Sequence, residues 1–322
     1  MQTRITGWGH RLPKKKVAND DPVYSQIDKS NDIFFGYKTR CRLSGEETVE
    51  DLMAEAASQA LEKAGISAKE LDYIVGYGTI GKYQAPNLLG LVHQKLGMDS
   101  HSTIMTIASE FNNYLQGITV ADALIGAGRA RHVLVVVGHN YSHHFRKDDP
   151  AFFSIGDGMG ACVLSATNKK GFFRLIDTAA HSASSFHSGM SFVGDNNCPD
   201  DPQKDSYKTP RFLMNDLGVE GFHAVGLDLP PQLVEDLLQK NGLNTQDVCL
   251  VCYQASNSLL KHWEERLKPG QLIHSLEENG NMAVATVAVN FSAQYDKIDK
   301  DYVVMLSLGL DMQVQALLLK RD

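Results

Sequence analysis

Thr103-Ile-Met-Thr-Ile-Ala-Ser-Glu-Phe-Asn-Asn-Tyr-Leu-Gln-Gly-Ile-Thr-Val-Ala-Asp-Ala-Leu-Ile-Gly-Ala-Gly128 is the stretch that decides the fold. β-Forming residues open it and the pattern breaks at Ala108-Ser109-Glu110. Tyr114, Leu115, Ile118, Ala121, Leu124 and Ile125 then recur at the spacing of a buried helix. His132-Val-Leu-Val-Val-Val-Gly138 follows as a strand, so the whole reads strand, sharp turn, helix, strand. Such a turn presents a side chain and free backbone N–H groups at the positive end of a helix dipole, which favours a thiolate, carboxylate or developing oxyanion. Any βαβ unit needs a turn there for connection alone. The residue that occupies it therefore decides what the site can do.

At 322 residues the chain suits two fused halves or two domains of about 150 residues. A hydrophobic fraction of 43% and an aromatic fraction of 8% suit a globular protein with a large core. The net charge of −7 is spread along the chain, without a basic block for nucleic acid. No run of about 18 apolar residues suggests a membrane span, and Met1 to Gly7 has no apolar signal segment, so a cytoplasmic location is expected. The five cysteines, Cys41, Cys162, Cys198, Cys249 and Cys252, are an odd number in a chain too long to need staples. Cys249 and Cys252 have C-x-x-C spacing but lie in a strand-like run that sends their thiols to opposite faces. The adjacent His143 and His144 have poor geometry for one metal, and no metal site is expected.

From the N-terminus, Gln2 to Trp8 alternates like a strand, and residues 14–45 form a long polar segment around Phe34-Phe35-Gly36-Tyr37, the kind used as a lid or binding loop. Glu46 to Gly65 has the pattern of an amphipathic helix, Leu71 to Gly78 of a buried strand and Asn87 to Leu96 of a second helix. Ile155-Gly-Asp-Gly-Met-Gly-Ala161 precedes a strand instead of opening a helix, so it fails as a nucleotide loop. It reads as a tight turn that needs positive φ and close backbone approach. A second series begins at Gly171. Residues 181–227 form an expected inserted cap, Leu229 to Gly242 a helix, Asp247 to Cys252 a strand and Ser256 to Leu267 a helix. Asn279 to Asn290 reads as the start of a small-residue helix, and Tyr302 to Gly309 and Met312 to Lys320 close as strands. Residues 1–168 and 169–322 thus repeat one element order without repeating sequence. The α/β fold expected is a layered α-β-α-β-α molecule with the two small-residue helices at its centre.

This order of motifs resembles the thiolase superfamily, and within it β-ketoacyl-acyl-carrier-protein synthase III. The resemblance covers nearly the whole chain: Ile5-Thr-Gly7, Leu12-Pro13, Asn19-Asp20 and Glu46-Glu-Thr48 at the start, the Gly156-Asp-Gly turn, and Asn279-Gly-Asn281. It implies Cys, His and Asn chemistry, in which a thiolate at a helix N-terminus attacks an acyl thioester while His and Asn bind the thioester oxygen. The family's Cys-x-Gly-Phe-x-x-x-Leu-x-x-Ala-Asp pattern, registered on Ala121-Asp122, puts Phe111 at the nucleophile position, Asn113 at the Gly and Tyr114 at the Phe. Tyr253-Gln-Ala-Ser256 stands where the family has His-Gln-Ala-Asn, and Asn281 keeps the third catalytic position. Phe35, Tyr37 and Ser256 fall where the resemblance places contacts to a coenzyme A or phosphopantetheine arm, though the family's Arg is missing. Ser307-Leu308-Gly309 replaces the glycine run near the oxyanion hole.

Beside Phe111, Ser109 is a candidate helix N-cap or nucleophile, and Glu110 a first-turn carboxylate, base or nucleophile. Tyr253 can donate a hydrogen bond to a carbonyl or simply fill the core, and Asn281 can be an oxyanion donor or a helix cap. Three readings stay open. The leading one is a non-catalytic subunit in fatty-acid or polyketide-type metabolism, dimerised with a Cys-bearing ketosynthase-like paralogue or with itself. The second is an atypical acyltransferase or hydrolase using Glu110 or Tyr253 on acyl-coenzyme A or acyl-carrier-protein thioesters, with no resident cofactor. The third is a binding protein for an acyl carrier or an apolar ligand.

Overall fold

The computed structural model describes residues 1–27, 35–81, 83, 85–193 and 210–322. Phe34, Cys198 and the middle of the expected cap lie outside the described residues.

The first half holds β1 (Gln2–Arg11), β2 (Lys15–Ala18), β3 (Thr39–Arg42), α1 (Val49–Ala64), β4 (Tyr73–Thr79), α2 (Leu89–Leu96), β5 (Thr103–Thr106), α3 (Asn113–Gly126), β6 (His132–His139), α4 (Pro150–Ser154) and β7 (Met159–Thr167). The second holds β8 (Phe173–Ser182), β9 (Met190–Val193), β10 (Arg211–Met214), α5 (Asp216–Gly221), α6 (Leu229–Lys240), β11 (Val248–Cys252), α7 (Asn257–Leu267), β12 (Gln271–Ile273), α8 (Leu276–Asn279), α9 (Thr286–Gln294), β13 (Tyr302–Leu308) and β14 (Gln313–Arg321).

Local chemistry sets the helix ends. Thr48 starts α1 later than the apolar period suggests, because its side chain accepts from Asp51 N, and Gly65 stops the helix in the left-handed region. The expected helix from Asn279 is corrected. Gly280, with φ of 68°, ends α8 there, and the chain passes Asn281 in an extended bridge to Ile155 before α9 begins at Thr286.

Ten strands form a sheet of order β12-β11-β13-β14-β8-β1-β7-β6-β4-β5. Within it β4 pairs parallel with β5 and β6, and β7 antiparallel with β6 and β1. In the same pattern β11 pairs parallel with β12 and β13, and β14 antiparallel with β13 and β8. The two sets of five meet at one residue pair, Ile5 with Phe173. Helix α3 packs on β1, β4, β6, β7 and β14, and α9 on β1, β7, β11, β12 and β13, so these two helices lie between the two sets of strands. Helices α1 and α2 cover the outer face of the first set, and α6 that of the second, giving five layers. The antiparallel pair β9–β10 and helix α5 belong to the described part of the cap. Among the described residues no helix is long and apolar enough to cross a membrane.

The Gly156 to Gly160 turn has close approach, as expected, but not positive φ: none of its glycines is left-handed. Their value is space. A Cβ on Gly156 would lie 2.2 Å from the Asn279 carbonyl oxygen, and one on Gly160 would lie 2.4 Å from Ala288 Cβ on α9. Replacing Gly160 by Ala is expected to lower the unfolding free energy by roughly 1–3 kcal/mol through overpacking. Urea midpoints at unchanged slope measure it, and a variant as stable as the parent would mean that α9 can retreat.

Candidate functional site

The turn between β5 and α3 is bent most at Phe111, whose φ is 74°. A bulky residue there is a genuine outlier and persists only where its surroundings dictate it. Here they come from the second half of the chain. Asn112, fully buried, donates from Nδ2 to the Gln313 carbonyl at 3.0 Å and accepts from Ser307 Oγ. Gln313 Oε1 accepts from Ser109 Oγ at 2.9 Å, Gln116 Nε2 at 2.9 Å and Asn112 Nδ2 at 3.2 Å. On the other side Asn113 Nδ2 donates to the Ile107 carbonyl at 2.7 Å. Neither Asn112 nor Gln313 was singled out from sequence. The two short amides at a helix start were a signal for Asn112, whereas nothing local marks Gln313.

These contacts revise the roles weighed for Ser109 and Glu110. The N-cap position of α3 is Asn112 rather than Ser109, and no side chain closes that helix end. Glu110 lies outside the first turn of α3, half-buried, and accepts from Tyr141 Oη at 2.7 Å. Burial holds its carboxyl above the ordinary 4.5; the Tyr141 and Tyr77 hydroxyls pull it down, and the charge of Asp311 adds to the rise.

The Phe111 ring is buried, with its centroid 5.6 Å from that of Tyr253 and 5.9 Å from that of Tyr141. Tyr253 follows β11 and is held by its backbone N–H on the Leu306 carbonyl at 2.8 Å. Its hydroxyl accepts from Asn281 Nδ2 at 3.2 Å, and burial keeps it a neutral phenol by pushing its pKa far above the tyrosine range. Asn281 is fixed on both sides: its N–H donates to Ser154 O at 2.8 Å and its carbonyl accepts from Gly156 N at 2.9 Å. Its Oδ1 accepts from Ala283 N at 2.9 Å, a local turn that precedes α9. The fully buried Gln254 clamps the same segment, donating to the Gly280 carbonyl at 2.6 Å and accepting from Ser275 N and Asn290 Nδ2.

Phe111, Tyr253 and Asn281 therefore meet, and they do so in a cavity of about 800 Å³. Tyr37, whose hydroxyl donates to the Ala255 carbonyl at 2.7 Å, and Ser256, which caps α7, also line it. Phe35 does not and is 59% exposed. Glu110 and Ser109 are also outside the lining, while Leu308 and Gly309 are in it. Missed from sequence were the apolar walls given by Phe145, Met190, Phe212, Phe222 and Leu310, which come from the cap and its surroundings. Among the described residues no cysteine lines the cavity. Cys162 is buried among apolar groups that push its thiol up to about 12, and Cys249 is raised to a similar value by its own burial. The nearby imidazole of His139 is buried and committed: Nε2 lies 2.7 Å from the Met282 carbonyl, and Nδ1 accepts from Tyr141 N at 3.2 Å. Burial lowers its pKa and keeps it neutral. His143 and His144 instead reach the Leu43 and Pro210 carbonyls.

A family model for 3-oxoacyl-acyl-carrier-protein synthase III matches residues 106–184, the span that starts at this turn. β-Ketoacyl-acyl-carrier-protein synthase III of Pseudoalteromonas atlantica is 28% identical over 294 residues, covering 89% of this chain and 88% of that protein. The crystal structure of 3-oxoacyl-acyl-carrier-protein synthase III from Aquifex aeolicus superposes with a TM-score of 0.85 at 22% identity, over 99% of both chains. A priming β-ketosynthase from a polyketide biosynthetic pathway gives 0.87 at 21% identity, over 100% of this chain and 97% of that one.

The raised carboxyl of Glu110 sets a pH dependence. A carboxyl that keeps its proton to higher pH when folded costs stability as pH rises from its unfolded value, 4.5, through the folded one. Glu110→Gln keeps an acceptor for Tyr141, so it is expected to exceed the parent in stability near neutral pH. The gap should close as pH falls below 4.5. Thermal unfolding across that range measures it, and a gap that widens in acid would reverse the sign.

Proposed function

This chain is a ketosynthase III-like member of the thiolase superfamily, and from that premise we propose that it serves as a non-catalytic subunit of a heteromeric condensing or acyl-transfer enzyme. Its partner would be a Cys-bearing ketosynthase-like chain acting on acyl thioesters of fatty-acid or polyketide type. One observation carries the reading: the residue at the strained turn, buried in the cavity beside Tyr253 and Asn281, is Phe111. A phenyl ring has no lone pair to attack a thioester, and among the described residues no cysteine lines the cavity. An acyl carrier or coenzyme A thioester could reach the partner's site without reacting here.

The pairing surface we propose is the edge at β5. That strand ends the sheet, and Ile104 on it and Leu91 on α2, which packs against it, are each 43% exposed. An open edge with apolar side chains is a template for another strand.

Two measurements test this reading. Incubated with acyl-coenzyme A, the protein should show no covalent acyl adduct by intact mass, while Phe111→Cys combined with Tyr253→His should gain one; an adduct on the parent protein would sink the proposal. Co-expressed with a Cys-bearing paralogue, the two chains should co-purify with activity that needs both, and Ile104→Lys should abolish the pairing in light scattering after gel filtration.

A further inference from the structure

Arg40 and Arg42 stand two residues apart on β3, where alternation sends both side chains to one face. That face is interior: Arg40 is fully buried and Arg42 is 6% exposed. The fully buried Tyr24 joins them from the turn Pro22–Tyr24. The guanidinium carbon of Arg40 lies 5.2 Å from the centre of the Tyr24 ring and that of Arg42 5.0 Å, so two cations share one phenol. Phe153 stands 4.0 Å from the Arg40 carbon and Phe152 3.9 Å from that of Arg42. Two like charges in an apolar shell are costly, and burial pulls the Arg40 guanidinium down to about 10. Near neutral pH it remains charged. The polar contacts of the pair do not balance it. Arg40 Nε donates to the Phe153 carbonyl and Nη1 to Asn19 Oδ1, and Arg42 Nη2 donates to the Phe152 carbonyl at 2.6 Å, all neutral oxygens. The buried carboxylate of Asp157 is committed to Leu43 N at 2.9 Å, Ser142 N at 2.9 Å and Ser142 Oγ at 2.6 Å, and Asp21 accepts from Val23 N at 2.9 Å. Three buried donors of the cluster have no partner among the described residues: Arg40 Nη2, Arg42 Nε and Tyr24 Oη. Rings and carbonyls solvate a guanidinium in part, but an uncompensated buried charge is among the costliest groups a fold can hold.

We propose that Arg40, Arg42 and Tyr24 form an internal site for one small monovalent anion of the halide class, such as chloride, which accepts from the three unpartnered donors. A single charge is what the cluster calls for, because Asp157 already offsets one of the two buried arginines. Small size follows from the packing: the donors are enclosed by aromatic rings, and a sulfate or phosphate would bring a second charge and more oxygens than three donors can satisfy. The ion ties β3 and the Pro22–Tyr24 turn to α4, which carries Phe152 and Phe153. Ala151 and Ser154 of α4 line the large cavity, as does Tyr37, whose ring centre lies 5.0 Å from the Arg40 guanidinium carbon, so the ion braces that wall from behind. None of Tyr24, Arg40 and Arg42 lines the cavity itself, and the inference holds whether or not the chain pairs with a Cys-bearing partner.

Thermal unfolding of the full-length protein at neutral pH and fixed ionic strength, with sodium methanesulfonate exchanged stepwise for sodium chloride, tests it. The midpoint should rise saturably, by about 2–4 °C as chloride goes from about 5 to about 200 mM. Tyr24→Phe keeps the ring beside both guanidiniums and removes one donor, so it should raise the half-saturating chloride concentration about five- to tenfold. Arg40→Met should abolish the chloride dependence; should that variant fail to fold, Tyr24→Phe carries the test alone. Crystals of the protein grown in sodium bromide locate the ion, with an anomalous peak expected between Arg40 Nη2, Arg42 Nε and Tyr24 Oη. Equal midpoints in chloride and methanesulfonate, an unchanged half-saturation in Tyr24→Phe, or bromide peaks confined to the surface would each overturn the proposal. A bromide peak at the cluster without any chloride dependence of unfolding would mark an adventitious ion only and overturn it as well.

Discussion

The hydrogen bonds that Gln313 gathers are the constraint from which the rest of the site follows. A backbone bend of the kind found at Phe111 relaxes unless something outside it holds it, and here the holders lie some two hundred residues away in sequence. Ser109, Asn112 and Gln116 all bond to one glutamine on β14, so the helix that opens at the turn is anchored to a strand of the other half. The bend and the docking of the halves are therefore one structural event. Strain at a single residue is stored where it can be shared among several polar contacts.

The polar interior beyond the turn obeys the same logic. Tyr253 leaves the end of β11, Asn281 leaves the end of α8, and Gln254, next to Tyr253 in sequence, bonds to the Gly280 carbonyl beside Asn281 and to Asn290 on α9. Each group is placed by a chain terminus of an element, where the backbone has spare donors and acceptors to fix it. The result is a hydroxyl held by its neighbouring amide in a cavity with largely apolar walls. On the reading proposed above, what this scaffold retains is recognition and assembly, with the reactive group supplied elsewhere.

Much of this was legible from residues near one another in sequence. The strand-turn-helix around Phe111, the helix that Thr48 and Gly65 bound, and the two central helices of small residues all follow from local periodicity and capping. Phe111, Tyr253 and Asn281 were named together from motif order, and they do share a cavity. Three kinds of feature escaped. Gln313 escaped because its role depends on a fold-level contact. The start of α9 escaped because the left-handed Gly280 breaks a run whose small residues read as continuous helix. The glycines at 156 and 160 were expected to serve both positive φ and close approach; only the close approach is found, and the partners that require it, Asn279 and Ala288, are visible only once the chain is folded. Phe35 is exposed and lies outside the cavity lining, since position in a motif does not say which way a side chain faces.

The seam at Ile5 and Phe173 has one further consequence. Two five-stranded sets with the same pairing pattern touch through a single rung, so each set carries its own hydrogen-bonded register and owes almost none of it to the other. A substitution that shifts a strand in one set has no ladder along which to propagate into its counterpart. What joins the sets is side-chain contact, through the two central helices and the bonds to Gln313, so their alignment is decided by packing and polar matching and not by a continuous ladder.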